Sequence, residues 1–378
     1  MKKILFLPFL QMPSGHHQAA ETLIDMLKIR KKDMVLKKVD LLSYMNVSLE
    51  KMVTGTYLKW IKLMPGTYDL VYKNCTYSTM RKVHSFKGYE ILFLKKMEKL
   101  LEDEQPDVII CTHSIPSYLV SALKRKGKCV VPVMNVYTDF FINDVWGKGE
   151  IDYHFVPNRD MKLKLMTEHH ISQESIIVSG IPVHEQFIKT TQRKKDNGRR
   201  KILISGGSSG LGDIYEFITA SRLAGAFDYF VLCGNNRKLY EKIKQLDSDH
   251  ILPLPYISSR KEMNEWYDRV DAVVTKPGGI TVSEALQKNL PIFVHAVLPG
   301  QEEINLQYLE KKNLVFRLER SLSIEEQLQK VLGNKPELIK WHAAKKAYEK
   351  GREMLSPDQM TKFIQSLMEP SLSFTQHA

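Results

Sequence analysis

The chain is poor in cysteine, lacks any long apolar run and is short of acid, and each shortage closes off a class of protein. Its four cysteines, Cys75, Cys111, Cys129 and Cys233, form no C-x-x-C pair and match no zinc-site spacing. A disulfide scaffold is excluded, and a reduced, cytoplasmic chain is expected. No run reaches the roughly 20 apolar residues of a membrane-spanning helix, so any contact with the inner face of a cell membrane is expected to be peripheral. The stretch Lys2-Lys3-Ile4-Leu5-Phe6-Leu7-Pro8-Phe9-Leu10 starts like a signal peptide, but the run is short, contains Pro8 and has no A-x-A-like site after it. It reads as a first buried strand. No D-x-D pair is placed to hold a divalent ion at a diphosphate, and neither a metal nor a resident cofactor is expected. Acid is the scarcer charge: 55 Lys and Arg against 43 Asp and Glu give a formal charge of +12. Such an excess favours nucleic acid, anionic lipid or a phosphorylated ligand, or reports only a soluble basic protein.

With 378 residues, 43% of them apolar, the chain is long enough for two packed domains. Strand-like runs alternate with helical patterns, which predicts parallel sheets with crossover helices. The first series is Ile4–Phe9, Met34–Val39, Val108–Cys111, Cys129–Val136 and Tyr153–Val156, with helices such as Ala19–Ile29 and Tyr89–Glu102 between. Residues 46–88, punctuated by Pro65-Gly66, fit the alternation poorly. The second series is Lys201–Ile204, Tyr229–Cys233, Ala272–Thr275, Pro291–His295 and Val315–Leu318. The polar, basic stretch Thr190–Arg200 reads as the linker. The expectation is α/β: two Rossmann-like domains, 1–189 and 199–335, facing each other across a cleft. Helices over Pro336–Met354 and Asp358–Met368 then pack back on the first domain, and 371–378 form a frayed tail.

The strongest chemical signal is Thr275-Lys276-Pro277-Gly278-Gly279-Ile280-Thr281-Val282-Ser283-Glu284-Ala285. A buried strand ends, a Pro-Gly-Gly turn follows, and a helix starts near Thr281. Glycine lets backbone N–H groups approach a ligand, and the helix N-terminus adds positive potential, so a phosphate or diphosphate fits there. Glu284, about a turn into the helix, is within reach of a ribose diol. After the next strand comes Leu298-Pro299-Gly300-Gln301-Glu302-Glu303-Ile304-Asn305, where Gln301 and Glu302 offer polar groups to sugar hydroxyls. Ligands bind outside the carboxyl ends of parallel strands, so both loops face one crevice. A third loop, Ser205-Gly206-Gly207-Ser208-Ser209-Gly210-Leu211-Gly212, could touch the same diphosphate. It also satisfies the G-x-x-x-G-x-G pattern of short-chain dehydrogenases, with Tyr240 and Lys244 as a Tyr-x-x-x-Lys pair. That pair follows far too soon, and such a reading leaves the first 200 residues idle.

In the first series, strand Ile4–Phe9 leads into Ser14-Gly15-His16-His17-Gln18-Ala19-Ala20. This sets an imidazole at a helix start on the sheet's carboxyl edge, where it could take a proton from an attacking hydroxyl. A helix-capping histidine is the plainer alternative. Pro106-Asp107-Val108-Ile109-Ile110-Cys111-Thr112-His113, and Val136-Tyr137-Thr138-Asp139-Phe140 with Asn143 and Trp146, set further polar groups at strand ends, with Asp107 read as a turn residue.

Together these residues resemble the monogalactosyldiacylglycerol synthase and processive diacylglycerol glucosyltransferase family, from Leu7 to about Leu309. Val178-Ser179-Gly180-Ile181-Pro182-Val183 and Thr138-Asp139-Phe140 with Trp146 add to the likeness. A more distant similarity is to the N-acetylglucosaminyltransferase that makes the lipid-linked peptidoglycan precursor. The resemblance implies a GT-B fold, a UDP-sugar as co-substrate, inversion at the anomeric carbon and catalysis without metal. It implies that Gly278 and Gly279 hold the diphosphate, assisted by Lys276, Pro277 and Thr281, and that Glu284 binds ribose. Gln301 and Glu302 would meet the donor hexose, with Gly207, Ser208, Ser209 and Asn305 also on the donor side. Uracil would lie near Tyr256 and Ile257, with Met263 close by. His16 would be the base, with Gly15, His113, Thr138, Asp139 and Trp146 on the acceptor side. Two departures fall there: Met12-Pro13-Ser14 replaces a glycine-rich turn, and Asn143 stands where the family often has histidine.

The implied acceptor is diacylglycerol or a related glycolipid. Residues 50–99 support a lipid surface, because lysines such as Lys59, Lys62 and Lys73 interleave with Trp60, Leu63, Met64 and Tyr68. A nucleic-acid site can look similar, but the donor-type loops argue against it. A soluble acceptor, or a UDP-sugar-binding regulator with little turnover, are the remaining alternatives.

Overall fold

The computed structural model describes residues 1–9, 14–30, 33–45, 87–187, 198–206, 214–220, 225–298, 300–319, 321–354 and 356–369. Most of the expected membrane patch (50–86 of 50–99), most of the linker (190–197 of 190–200), Gly207–Ser209, Pro299, Met12-Pro13 and the tail lie outside them.

Two six-stranded, all-parallel sheets carry the fold. The first joins β1 (Lys2–Leu7), β2 (Met34–Lys38), β3 (Val108–Cys111), β4 (Val133–Val136), β5 (Tyr153–Val156) and β6 (Ile176–Val178) in the order β2-β1-β3-β4-β5-β6. The second joins β7 (Arg200–Ser205), β8 (Phe227–Leu232), β9 (Ile251–Leu254), β10 (Ala272–Thr275), β11 (Ile292–Val294) and β12 (Phe316–Arg317) in the order β12-β11-β10-β7-β8-β9. Helices cover both faces of each sheet, so the central strands are apolar on both sides. On β1, Leu5 and Leu7 join one core cluster while Ile4 and Phe6 join another, as a period of two requires. On β10, Val273 and Val274 divide the same way. Strand order reverses at β1/β3 and at β7/β10, and these switch points open crevices at the carboxyl edge.

The expected strands over Val108–Cys111, Tyr153–Val156 and Ala272–Thr275 form as read. β6 and β9 were not expected. Both are edge strands; β6 is three residues long, and β9 contains Pro253, which only an edge tolerates. β4 starts at Val133 rather than Cys129.

The chain's last helices tie the two halves together. On helix Lys335–Lys350, Trp341 Nε1 donates to Leu314 O at 2.9 Å in the second half, and Tyr348 Oη donates to Pro157 O at 3.0 Å in the first. Beyond it, Glu353 N donates to Val178 O at 2.7 Å. Helix Pro357–Ser366, opened by a Ser356/Gln359 capping box, buries Met360 and Ile364 in the cluster of Ile4 and Phe6.

Candidate active site

His16 lies in the first turn of helix Gly15–Arg30, just past the carboxyl end of β1. Its Nδ1 is 2.8 Å from Thr112 O and 2.8 Å from Thr138 Oγ1. A carbonyl oxygen can only accept, so Nδ1 carries the proton and Nε2 is the basic nitrogen of the neutral ring. Burial holds the His16 pKa below its usual 6.5; the charge of Asp139 and the bond to Thr112 pull it up, and His17 pushes it down. His113 meets the His16 ring edge-on at 4.6 Å. Its Nδ1 accepts from Ile115 N at 3.1 Å as the cap of helix Ser114–Arg125. Burial and the neighbouring His16 and His17 keep it neutral. With that lone pair engaged, His113 is the weaker proton acceptor.

The two halves touch at the loops singled out from sequence. A Cβ on Gly279 would lie 1.9 Å from Thr138 O, and one on Gly15 3.1 Å from Ile280 Cγ1. Nothing lies within 4 Å of the same position on Gly278. The absence of a side chain at Gly279 thus serves the approach of the first domain's backbone; at Gly278 the space is open. Gly279 therefore has a packing reason for lacking a side chain beside the N–H it can offer a diphosphate, and the two glycines are not equivalent. The Gly278 N–H itself donates to Lys276 O at 2.8 Å. The first helical bond of Gly279–Gln287 is Val282 N to Gly278 O, so the N–H groups of Gly279, Ile280 and Thr281 have no partner within the helix.

Behind that turn lies a cavity of about 980 Å³ between the helix Gly15–Arg30 and the carboxyl ends of β7, β8 and β9. Tyr256, Ile257, Met263, Thr281 and Glu284 line it together, as the sequence grouped them. Glu284 Oε accepts from Tyr267 Oη at 3.0 Å. Burial pushes its carboxyl up to about 7, against the pull of Tyr267 and Arg260. Across the mouth, Arg260 donates to Asp25 and stands 3.6 Å from Glu21, whose other oxygen pairs with Lys38 at 2.7 Å. His17 Nε2 is 3.1 Å from Asp40 Oδ1 at the same wall. Tyr267, Arg260 and the acidic pair on the first helix escaped the sequence reading. The available hint was Ser259 with Glu262, a helix-start signature immediately after Tyr256-Ile257.

Gln301, Glu302 and Asn305 open helix Gln301–Lys311. Gln301 Nε2 donates to Asp139 Oδ2 at 2.6 Å. Asn305, 1% exposed, donates to Asp139 Oδ1 at 2.9 Å and accepts from Phe140 N at 2.8 Å. Both ends of this buried amide are engaged by the first domain, which corrects the reading of Asn305 as a donor-binding residue. Glu302 accepts from Leu298 N at 2.7 Å and lies 3.7 Å from Lys276 Nζ, and burial raises its pKa. Trp146 is corrected too: it is buried in the first core with its ring 4.5 Å from Tyr137, beneath β4 rather than on the cleft. Among the described residues, no group of three or more His, Cys, Asp or Glu could hold a metal. No described helix is long and apolar enough to cross a membrane.

Residues 16–183 match the family profile described as monogalactosyldiacylglycerol (MGDG) synthase. The glycosyltransferase YkoN of Bacillus subtilis (strain 168), described as uncharacterized, is 40% identical over 316 residues, covering 83% of this chain and 84% of that protein. A processive diacylglycerol beta-glucosyltransferase of Bacillus pumilus (strain SAFR-032) is 27% identical over 348 residues, covering 89% of this chain and 88% of the relative. The crystal structure of Acinetobacter baumannii MurG superimposes with a TM-score of 0.60 at 11% identity, over 97% of this chain and 100% of that one, a likeness of fold. With two parallel sheets facing one cleft and relatives of this extent, the chain is a glycosyltransferase of GT-B fold and belongs to the family of the monogalactosyldiacylglycerol synthases and processive diacylglycerol glucosyltransferases.

Proposed function

We propose that the enzyme moves a hexose from a UDP-sugar to an acceptor hydroxyl with inversion and without a metal, and that the acceptor is diacylglycerol or a related membrane glycolipid. The observation that carries this reading is the His16 tautomer. Thr112 O fixes the proton on Nδ1, so the basic nitrogen is Nε2, on a ring at the carboxyl edge of the first sheet and on the domain opposite the Pro277–Gly279 turn. The acceptor oxygen attacks the anomeric carbon as the bond from that carbon to the UDP oxygen breaks, and Nε2 takes the hydroxyl proton. Positioned general-base catalysis contributes roughly 10²–10⁴-fold. Departing diphosphate charge meets the N–H groups of Gly279, Ile280 and Thr281 and the ammonium of Lys276. Glu284 and Tyr267 suit the nucleoside, in the cavity they share with Tyr256, Ile257 and Met263.

The lipid acceptor is supported by the family's processive diacylglycerol glucosyltransferase and by the basic, aromatic composition of residues 50–99. A soluble acceptor is the second reading, because the first-domain wall of the cavity is polar, with Gln18, Glu21, Asp25 and Lys28. Incubation with a panel of UDP-hexoses and a membrane-lipid extract, followed by mass spectrometry, is expected to show a hexosyl-diacylglycerol. Hexose transferred only to soluble acceptors would replace the lipid reading, and no transfer from any UDP-hexose would overturn both. Activity abolished by EDTA and restored by magnesium or manganese would overturn the metal-free mechanism.

A further inference from the structure

Asp139 follows β4 at the carboxyl edge of the first sheet, and its two oxygens are engaged from the second domain. Oδ2 accepts from Gln301 Nε2 at 2.6 Å, and Oδ1 accepts from Asn305 Nδ2 at 2.9 Å. The next residue extends the contact: Phe140 N donates to Asn305 Oδ1 at 2.8 Å, and the Phe140 ring stacks on Tyr308 at 5.7 Å. The preceding residue brings Thr138 O against Gly279. Residues Thr138–Phe140 are therefore one docking edge, and helix Gln301–Lys311 is its main counterpart.

A carboxylate only accepts hydrogen bonds, so both amides must turn their NH₂ groups toward Asp139. For Asn305 both ends are then engaged within the docked interface, since Phe140 N donates to its oxygen and the residue is buried. For Gln301 it leaves Oε1 directed away from Asp139 as an acceptor suited to a sugar hydroxyl. Sequence alone puts Asp139 on the acceptor side and Asn305 on the donor side; the geometry gives each an interdomain partner instead.

We infer that Asp139 is a positioning residue. It clasps Gln301 and Asn305 across the cleft and sets the sugar-facing oxygen of Gln301 only when the domains are docked. Resting on the UDP-hexose reading above, this links recognition of the donor hexose to domain docking and leaves the nucleotide, held by the Tyr256–Glu284 cavity, outside that linkage.

Asp139→Asn supplies one acceptor oxygen where two amide donors converge, so one donor faces another. Adding Asn305→Asp repairs every bond: the new amide accepts from Gln301 and donates to the new carboxylate, which still accepts from Phe140 N. With the full-length protein, Asp139→Asn is expected to raise KM for the UDP-hexose by about tenfold or more, the effect of losing a hydrogen bond to a charged group. The Kd of UDP by calorimetry should stay within about twofold, and the double variant should return KM to near the wild-type value. Small-angle scattering, which needs no turnover, should show a larger radius of gyration for the single variant and recovery in the double one. A double variant no better than Asp139→Asn would make Asp139 a reacting group or a simple charge and overturn the clasp. So would scattering unchanged in the single variant, or a UDP Kd that rises in step with KM. Wild-type protein inert toward every UDP-hexose would instead sink the donor reading, with the scattering arm still deciding the clasp.

Discussion

Glu284 is a carboxyl that folding has made harder to ionise. Burial raises its pKa from 4.5 to about 7, while Tyr267 Oη supplies a 3.0 Å hydrogen bond. A group whose folded pKa is raised binds its proton more tightly in the folded state. Its contribution to stability is complete below the unfolded value of 4.5 and is lost as pH rises through 7. Glu284→Gln keeps an acceptor for Tyr267 and cannot ionise. It is expected to be more stable than wild type at pH 8 by on the order of 3 kcal/mol, the gain vanishing near pH 4. Urea midpoints of both proteins across that range check this. A residue kept against stability points to ligand binding, and Glu284→Ala is expected to cost UDP affinity roughly 1–3 kcal/mol by calorimetry. His16 tests the other side of the cleft. Its lowered pKa places the acid limb of kcat/KM below pH 6.5. His16→Ala should abolish that limb and reduce kcat by roughly 10²–10⁴-fold. UDP affinity should not change, because the nucleotide cavity is lined by His17 and not by His16. A full-activity variant would return His16 to the plainer role of a capping group.

The Pro277–Gly279 turn shows what an element's sequence reveals and what it conceals. A continuous apolar run ending in Pro-Gly-Gly is readable as strand, turn and helix from local physics alone, and β10 and helix Gly279–Gln287 form there. The reason for the second glycine is not local. Thr138 O occupies its Cβ position, and that partner belongs to the other sheet. The same blindness concealed the Asp139–Asn305 pair, since an amide beside a glycine loop looks identical whether it faces a sugar or a carboxylate. Edge strands β6 and β9 were illegible for a different reason: too short, or broken by Pro253, to show a periodicity. The two glycines therefore predict opposite behaviour. Gly279→Ala drives a methyl into the Thr138 backbone, where the nearest contact cannot swing away, so loss of turnover together with a lower thermal midpoint is expected. Gly278 has φ of −78° and open space around it. Gly278→Ala should leave the midpoint unchanged, and any loss should appear in UDP affinity alone, measured by calorimetry beside the thermal scan.

At the scale of the whole molecule, the division into two sheets is not a division into two independent units. Helix Lys335–Lys350 is fixed to the second half by Trp341 and to the first by Tyr348, and Glu353 binds the end of β6 through both its backbone and its side chain. The returning helix Pro357–Ser366 then completes the first core. Ile364 is 1% exposed among Ile4, Phe6 and Val108, and Phe363 packs edge-on against Tyr153 at 5.0 Å. The layer that covers one face of the first sheet is thus shared between helix Gly15–Arg30 and residues that follow the entire second sheet. Ile364→Ala removes buried methyl and methylene groups and should destabilise the protein by roughly 2–4 kcal/mol. The loss should fall on the first half: tryptophan emission cannot separate the halves cleanly, but hydrogen exchange can. Faster exchange is expected in β1 and β3, with β7 and β10 near wild type and UDP affinity unchanged at 25 °C. Equal loosening of both sheets would mean that they unfold as one cooperative unit. Unchanged exchange in β1 and β3 would mean that the returning helix only rests on a core complete without it.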